Sequence, residues 1–181
     1  MQSRFFLIIA VLLIPTTPIC GFDDYSSRIH DKRAYIKFCN ELVPIDDALS
    51  HKYDVFIEDL EAHKLPKTDT ATDKYYHGFT VLIDKLHDVD VPELSNIFAQ
   101  GALQRAKNNL IWGYERRLGV LPNYLIGKKH PPVGPLTNQV IFGDASEDQL
   151  TEGELSLYDA GRRLGFDAWK LNKILKYPPM Q

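Results

Sequence analysis

Residues 90–119 read DVPELSNIFAQGALQRAKNNLIWGYERRLG, and their apolar positions recur every three or four residues. This spacing places one apolar stripe along a single face of an α-helix, because an α-helix completes a turn in about 3.6 residues. The stretch is the best-marked helix of the chain. Its stripe consists of Leu94, Phe98, Ala102, Ala106, Leu110, Tyr114 and Leu118.

Local signals predict both ends of this helix. Asp90 and Glu93 form a D-x-x-E pattern, which is typical of a helix start because such side chains accept backbone N–H groups of the first turn. Arg116 and Arg117 would lie in the last turn, where cations interact favourably with the helix dipole. Gly119 would then end the helix in a left-handed conformation. The sequence therefore predicts a helix from Asp90 to Gly119.

Three shorter helices are predicted before this one. Apolar residues in helical spacing indicate a first helix over residues 25–43, which Pro44 is expected to interrupt because proline removes a backbone donor. A second stripe follows over residues 49–60 and a third over residues 76–86, with a polar connector at residues 67–72 between them. The three stripes are Tyr25, Ile29, Ile36, Cys39 and Val43; Leu49, Tyr53, Phe56 and Leu60; and Tyr76, Phe79, Ile83 and Leu86.

A long Pro/Gly-rich loop, about residues 119–146, is predicted to follow the fourth helix. Loops of such length are usually functional or disordered in compact domains. Two short apolar runs within it, residues 124–126 and 140–142, indicate that parts of the loop lie on the helices. If the two runs pair with each other, they form a minor two-stranded ribbon.

Two further helices are predicted after the loop. Capping patterns that begin at Ser146 or Thr151 start a fifth helix, which Gly165 ends. Asp167 is then expected to cap a short sixth helix over residues 168–176. The predicted fold class is therefore all-α, a single domain of five to six helices with the long loop laid across one face.

The N-terminal residues have the anatomy of a secretory signal peptide. After Arg4 come ten apolar residues, 5–14, a run too short to span a bilayer, which takes about 20. The expected cleavage site is at Gly21, a small residue before the first acidic pair. The sequence thus predicts a cleavable signal over residues 1–21 and one secreted, extracellular domain over residues 22–181, with no membrane association after cleavage.

The composition excludes several classes of protein. The formal net charge is −3 and no basic block occurs, so neither nucleic acid nor an anionic membrane is an expected partner. The only cysteines are Cys20 and Cys39, which excludes secreted disulfide scaffolds and leaves stability to packing. Cys39 lies on an apolar stripe and is expected to be a buried structural thiol.

No motif in the chain predicts enzymatic chemistry. It contains no H-E-x-x-H or C-x-x-C metal motif, no G-x-S-x-G nucleophile elbow and no phosphate-binding loop. Two groupings of carboxylates and histidines occur at helical spacing, and we interpret both as solvated polar faces. They are Asp47, His51, Asp54 and Glu58 in the second helix and Asp84, His87, Asp88 and Asp90 around the end of the third. The chain is therefore predicted to lack enzymatic activity and to need no cofactor or metal.

Two basic pairs favour an alternative function as the precursor of a peptide. Secretory convertases cleave after paired basic residues, and a glycine before the second pair would supply a C-terminal amide. Cleavage at both pairs would release an amidated peptide of nine residues, Leu118–Ile126. The candidate processing residues are Gly21 at the signal cut and Arg116, Arg117, Gly127, Lys128 and Lys129.

The predicted function is binding of an extracellular protein partner, as a ligand-like or effector-like protein without catalysis. The aromatic residues in the helical stripes leave a third hypothesis open, a carrier of a small apolar ligand. Such a carrier needs a closed cavity between its helices. The expected lining residues are Tyr76, Phe79, Phe98 and Tyr114.

Overall fold

The computed structural model describes the backbone of residues 22–61, 69–127 and 144–176, and the side chains of residues 25–59, 75–119 and 146–176. Within these ranges the chain is mostly helical and contains no β-strand, which confirms the all-α fold class. The helices there are α1, Phe22–Glu61; α2, Asp69–Asp88; α3, Ile97–Gly127; α4, Asp144–Arg163; and α5, Ala168–Leu175. None of these helices combines the length and apolar character needed to span a membrane.

The longest helix, α1, is continuous through Pro44, so the predicted break at this residue is wrong. Proline deprives the carbonyl of Asn40, four residues earlier, of its helical partner. Both residues are exposed, and water can therefore satisfy that carbonyl without ending the helix. The buried positions on either side of Pro44 stay in phase, so a single helix buries them against one core. These positions are Cys39, Leu42, Leu49, Tyr53 and Phe56.

Helix α3 begins at Ile97, later than the predicted start at Asp90. Asn96 caps it, since the side-chain oxygen of Asn96 accepts a first-turn backbone N–H at 3.0 Å. A residue of α1 stabilises the turn before α3. The carboxylate of Asp31 accepts the backbone N–H groups of Ser95 and Asn96 at 2.9 and 3.0 Å. Asp31 is 3 % exposed and lies 64 residues before Ser95. This cap is therefore a tertiary contact that no local pattern reveals.

Helix α3 also continues past Gly119 to Gly127, so the predicted stop at Gly119 is wrong. Residues 119–127 of the predicted loop are helical, and this segment includes 124–126, one half of the predicted ribbon. The rest of the loop, with the other half at 140–142, lies outside the described residues. A glycine costs a helix only about 1 kcal/mol. The apolar spacing that includes Leu118 continues beyond Gly119 at Leu121 and Leu125.

Glycines allow α3 and α4 to approach each other closely. A Cβ atom added to Gly113 of α3 would lie 2.6 Å from the side chain of Leu150, and one added to Gly153 of α4 would lie 2.8 Å from that of Leu110. Each leucine therefore packs against a glycine of the facing helix. The contacts run forward along α3 and backward along α4, so the two helices are antiparallel.

The junction between α4 and α5 matches its prediction. Gly165 has a φ of 76°, and Phe166 N–H donates to the carbonyl of Gly161 at 3.1 Å, which is the pattern of a Schellman motif. Asp167 then caps α5 by accepting the backbone N–H of Lys170 at 2.8 Å. Both signals act within a few residues, and this is why the sequence revealed them.

Buried apolar side chains from all five helices form one core. Tyr35 of α1 is fully buried; its hydroxyl donates to the carbonyl of Leu157 in α4 at 3.0 Å, and its ring lies 5.3 Å from that of Phe166. Cys39 is a free, buried cysteine, as predicted. Burial raises the pKa of the Cys39 thiol to about 12, which keeps it protonated and unreactive at neutral pH.

Candidate functional site

Polar side chains are gathered between α1, α3 and α4 in what we call the buried polar cluster. It comprises Asp46 of α1, Tyr114 and Arg117 of α3, and Glu147 and Glu154 of α4. Tyr114 is 2 % exposed and Asp46 is 4 % exposed. The Tyr114 hydroxyl donates to the Asp46 carboxylate at 2.6 Å and also lies 3.2 Å from the Asp46 carbonyl. The hydroxyl and the carboxylate therefore satisfy each other away from water.

Arg117 joins this cluster to the aromatic core. Its guanidinium carbon lies 3.9 Å from the ring centroid of Tyr53 and 5.8 Å from that of Tyr114. The side chain is 7 % exposed and forms an ion pair with Glu147, which is 70 % exposed. A planar guanidinium can stack on a ring and bind a carboxylate at the same time. Arg117 thus connects α3 to both α1 and α4.

The cluster changes the proton affinities of its members. Burial, followed by the negative charges of Asp46, Glu147 and Asp47, raises the pKa of Glu154 to about 7. Burial and the neighbouring Asp46 carboxylate also raise the pKa of Tyr114 above its usual range. Glu154 therefore titrates near neutrality, whereas Tyr114 stays protonated and remains a hydrogen-bond donor.

A carboxyl group that titrates near neutrality is suited to proton transfer, and such groups are often found in active sites. In this cluster, however, Tyr114 is hydrogen-bonded to Asp46, and Arg117 forms an ion pair with Glu147. Contacts of this kind are those of a structural polar network, which restricts how the helices can pack. We therefore interpret the buried polar cluster as a set of contacts that sets the relative positions of α1, α3 and α4.

A second group of residues lies where α3 and α5 begin and α4 ends. We call it the aromatic–basic end and define it as Lys32, Ile97, Phe98, Arg163, Trp169, Lys170 and Lys173. Its apolar members Ile97, Phe98 and Trp169 are 70 %, 67 % and 74 % exposed. Isolated apolar side chains are common on protein surfaces, but a group of large ones together with cations is typical of a binding surface.

Cations at this end lie on the exposed rings. The Arg163 guanidinium is 5.9 Å from the ring centroid of Phe98, and Lys173 Nζ is 5.6 Å from that of Trp169. The side chain of Asn96 donates to the carbonyl of Arg163 at 3.2 Å, which ties the start of α3 to the end of α4. This contact between the two helix ends therefore keeps the exposed Phe98 ring and the Arg163 guanidinium close to each other.

Two more cations of the aromatic–basic end share one buried ring. Lys32 Nζ of α1 and Lys170 Nζ of α5 each lie 5.3 Å from the ring centroid of Phe166, which is 4 % exposed. Lys32 Nζ also lies 3.5 Å from the carbonyl of Gly165. The Phe166 ring thus contacts cations from two separate helices and concentrates positive charge at this end.

Charges are separated along α4 and α5, although they are interspersed over the chain as a whole. Residues 144–161 contain six acidic side chains and no lysine or arginine, whereas residues 162–176 contain five lysines and arginines and one acid, Asp167. Arg163, Lys170 and Lys173 of the second segment belong to the aromatic–basic end, whereas Lys176 lies 4.0 Å from Asp47 of α1. This end is therefore basic on a chain whose formal net charge is −3.

The structure places the predicted processing residues in different environments. Arg116 is exposed on α3, Arg117 is buried in the polar cluster, and Gly127 is the last residue of α3. Gly21 and residues 128–129 lie outside the described residues. Convertases bind extended chains, so cleavage after Arg117 requires local unfolding of α3.

The four aromatic residues expected to line a ligand cavity do not face one enclosed space. Phe79 and Tyr114 are 1 % and 2 % exposed, but Tyr76 and Phe98 are 42 % and 67 % exposed. A residue with 42 % or more of its surface exposed to solvent does not line a closed cavity. The cavity expected for a carrier is therefore not formed by this set of residues.

The two groupings of carboxylates and histidines do not make a metal site. Within the described side chains, no three histidine, cysteine or acidic residues lie close enough together to hold an ion. His87 is instead paired with Glu115 of α3 at 2.9 Å. Asp47 lies 4.0 Å from the ammonium group of Lys176. These side chains are therefore used in contacts between helices.

No protein-family model matches this chain, and no match was found among the curated proteins or the solved structures. The function has to be inferred from the residues and their geometry. Sequence reasoning missed the role of Asp46, although a signal was present, because Asp46 falls in phase with the buried positions Leu42, Leu49 and Tyr53 of α1. A carboxylate within an apolar stripe indicates a buried partner.

Proposed function

We propose that this chain is a secreted, non-enzymatic helical protein that binds an extracellular protein partner. The observation that carries the proposal is the joint exposure of Ile97, Phe98 and Trp169 at one end of the bundle. The signal-like residues 1–21 support secretion, and residues 22–181 would form the secreted domain. Residues 128–143 connect α3 to α4 in this domain.

The residue types at the aromatic–basic end favour a protein as the partner. Aromatic residues and arginine are enriched at protein–protein interfaces, and a few of them contribute most of the binding free energy there. Phe98 with Arg163 above its ring, and Trp169 beside Lys173, supply both types. Each aromatic ring would remove a large apolar area from water on binding, at a low cost in side-chain entropy.

The test is saturable binding of the labelled, secreted chain to cells or extracellular matrix from the tissue that produces it. We expect treatment of these cells with protease to abolish binding, because the partner is a protein. Phe98→Ala together with Trp169→Ala should weaken binding at least about tenfold, since hot-spot residues contribute 2 kcal/mol or more. Protease-insensitive binding would contradict a protein partner.

A matched control uses aromatic residues that are exposed elsewhere. Tyr76 is 42 % exposed on α2 and Trp112 is 50 % exposed on α3. The double variant Tyr76→Ala and Trp112→Ala removes a similar aromatic area and should leave binding within about twofold of the native chain. Equal losses from the two double variants would remove the aromatic–basic end as the binding surface.

Intact-mass spectrometry of the secreted product tests secretion and the precursor hypothesis together. The proposal expects one species that begins near Gly21 and contains Arg116, Arg117 and the residues that follow. Recovery of an amidated peptide 118–126 would replace the binding function with that of a precursor. Because Arg117 is buried in α3, we expect this peptide to be absent.

A further inference from the structure

We infer that the aromatic–basic end binds an acidic segment of the protein partner, with carboxylates at its cations and apolar side chains at its exposed rings. This inference deepens the proposed function and rests on it. The surface offers Lys32, Lys170 and Lys173 as anchors for carboxylates and Phe98 and Trp169 as apolar contacts.

The first argument is the position of Lys170 in α5. Cations are stabilised at the C-terminal turn of a helix and opposed at its N-terminal turn by the helix dipole. The dipole therefore accounts for Arg162 and Arg163 in the last turn of α4. It does not account for Lys170, which lies in the first turn of α5, beside the N-cap carboxylate of Asp167, the one acid of residues 162–176. A negatively charged partner would compensate this unfavourable placement.

The second argument is the pairing of Lys32 and Lys170 on one ring. Both ammonium groups lie 5.3 Å from the Phe166 centroid, although they come from α1 and α5. Two cations on one ring concentrate positive charge at this end, and a carboxylate bound there would interact favourably with both. Because the ring restricts both side chains before binding, less side-chain entropy is lost when a partner arrives.

The acidic segment is expected to come from a partner, because two acids of α4 already form ion pairs within this chain. Glu147 is paired with Arg117, and Asp159 accepts from Arg163 at 2.7 Å and lies 3.8 Å from Arg105. A second copy of the chain could present these acids only by breaking its own ion pairs. Binding between copies through these two acids is therefore disfavoured relative to binding of an unpaired acidic segment.

Other polyanions match this surface less well. A sulfated glycan supplies negative charge but little apolar surface for Ile97, Phe98 and Trp169. Anionic lipid is concentrated in the cytoplasmic leaflet of cell membranes, and a secreted protein meets the opposite leaflet. An acidic peptide that also carries apolar side chains complements both the charges and the rings of this end.

The experiment measures binding of the secreted full chain to a short labelled peptide that alternates glutamate with phenylalanine and leucine. We expect Lys32→Glu, Lys170→Glu and Lys173→Glu, combined in one variant, to weaken binding at least about tenfold, because three charges that attract the carboxylates are replaced by three that repel them. Affinity should also fall as NaCl is raised from low to physiological concentration, since salt screens exposed charges.

Matched controls make the measurement specific. A variant with Lys37→Glu, Lys52→Glu and Lys85→Glu carries the same change in net charge on exposed lysines outside the aromatic–basic end, and we expect its affinity to stay within about twofold of native. A peptide with glutamine in place of glutamate should bind at least about tenfold more weakly. Thermal unfolding of both triple variants verifies that each is folded.

Four outcomes would overturn the inference. The first two are equal binding of the glutamate and glutamine peptides and equal loss of binding in both triple variants. The third is stronger binding of the chain to phosphatidylserine vesicles or to heparin than to the peptide. The fourth is self-association of the chain that is lost only in the Lys32/Lys170/Lys173 variant. If the peptide fails but cell binding still depends on Phe98 and Trp169, the inference fails and the proposed function stands. If the peptide binds and cells do not, the proposed function fails.

Discussion

The buried polar cluster and the aromatic–basic end both place an arginine beside an aromatic ring, but they differ in exposure and geometry. Arg117 lies 3.9 Å from the Tyr53 ring and is 7 % exposed, whereas Arg163 lies 5.9 Å from the ring of Phe98, which is 67 % exposed. The first pair is enclosed by three helices and the second faces solvent. A contact between arginine and an aromatic ring thus stabilises the fold where water is excluded, whereas the exposed contact at the aromatic–basic end remains accessible from solvent.

Substitution of Arg117 by alanine should have the largest effect on stability among the polar residues. It removes the stacking on Tyr53 and the ion pair with Glu147, and it leaves a cavity between α1, α3 and α4. We expect a loss of about 2–3 kcal/mol in the free energy of unfolding. Urea denaturation followed by circular dichroism measures this loss.

The neighbouring Arg116 provides the control for this prediction. It is exposed, and its guanidinium carbon lies 5.7 Å from the ring centroid of Trp112. Arg116→Ala should change the free energy of unfolding by less than about 0.5 kcal/mol. If the two alanine variants unfold at the same urea concentration, Arg117 does not contribute to stability as its burial indicates.

Tyr114→Phe should have a smaller but clear effect. The variant keeps the ring and removes the hydroxyl that donates to the buried Asp46 carboxylate, whose desolvation is then less well compensated. We expect a destabilisation of about 1–3 kcal/mol. Tyr76→Phe, on an exposed ring, is the control, and similar midpoints for both variants in thermal unfolding would count against a stabilising cluster.

Glu154→Gln should change the pH dependence of stability. Because its pKa rises from 4.5 to about 7 on folding, the folded chain holds this proton more tightly than the unfolded chain. Ionisation of Glu154 therefore destabilises the fold progressively as pH rises from about 4.5 to 7 and fully above that range.

The glutamine variant removes this penalty. Above pH 7 we expect it to be more stable than the native chain by about 1 kcal/mol, a value reduced for solvent screening of a half-buried group. The difference should vanish near pH 4.5. Urea denaturation of both chains across this range measures it, and a difference independent of pH would show that Glu154 does not titrate on folding as proposed.

Phe98→Ala with Trp169→Ala should have the smallest effect on stability. Both rings are mostly exposed, so their removal should change the free energy of unfolding by less than about 0.5 kcal/mol each. Phe56→Ala, at a ring that is 2 % exposed, should by contrast cost about 3–5 kcal/mol. A large destabilisation from the exposed pair would mean that these rings serve the core and not a partner.

Local signals predicted the parts of the fold that depend on neighbours in sequence. Gly165 ends α4 and Asp167 caps α5 as expected, because each acts through hydrogen bonds within a few residues. The break at Pro44 was wrong, because the burial of apolar positions on both sides of it outweighed the local cost of one proline. The stop at Gly119 was wrong, because α3 continues to Gly127 and a single glycine costs a helix only about 1 kcal/mol.

The candidate sites were less predictable than the helices. Phe98 was assigned to the inner face of its helix by spacing alone, yet it is exposed, because the buried face of the first turn of α3 is centred on its neighbour Ala99. Arg117 was read as an ordinary helix-terminal cation. Its burial depends on Tyr53, which is far from it in sequence.

The sequence by itself determined that the described chain is helical, where α4 ends and α5 begins, and that Cys39 is buried, because periodicity and capping act over short distances. Tertiary structure alone decided that Asp31 holds the start of α3, that Arg117 is enclosed, and that Lys32 and Lys170 meet on one ring. Each of these features joins residues from separate helices. Their energies depend on desolvation and distance, which only the packed fold sets.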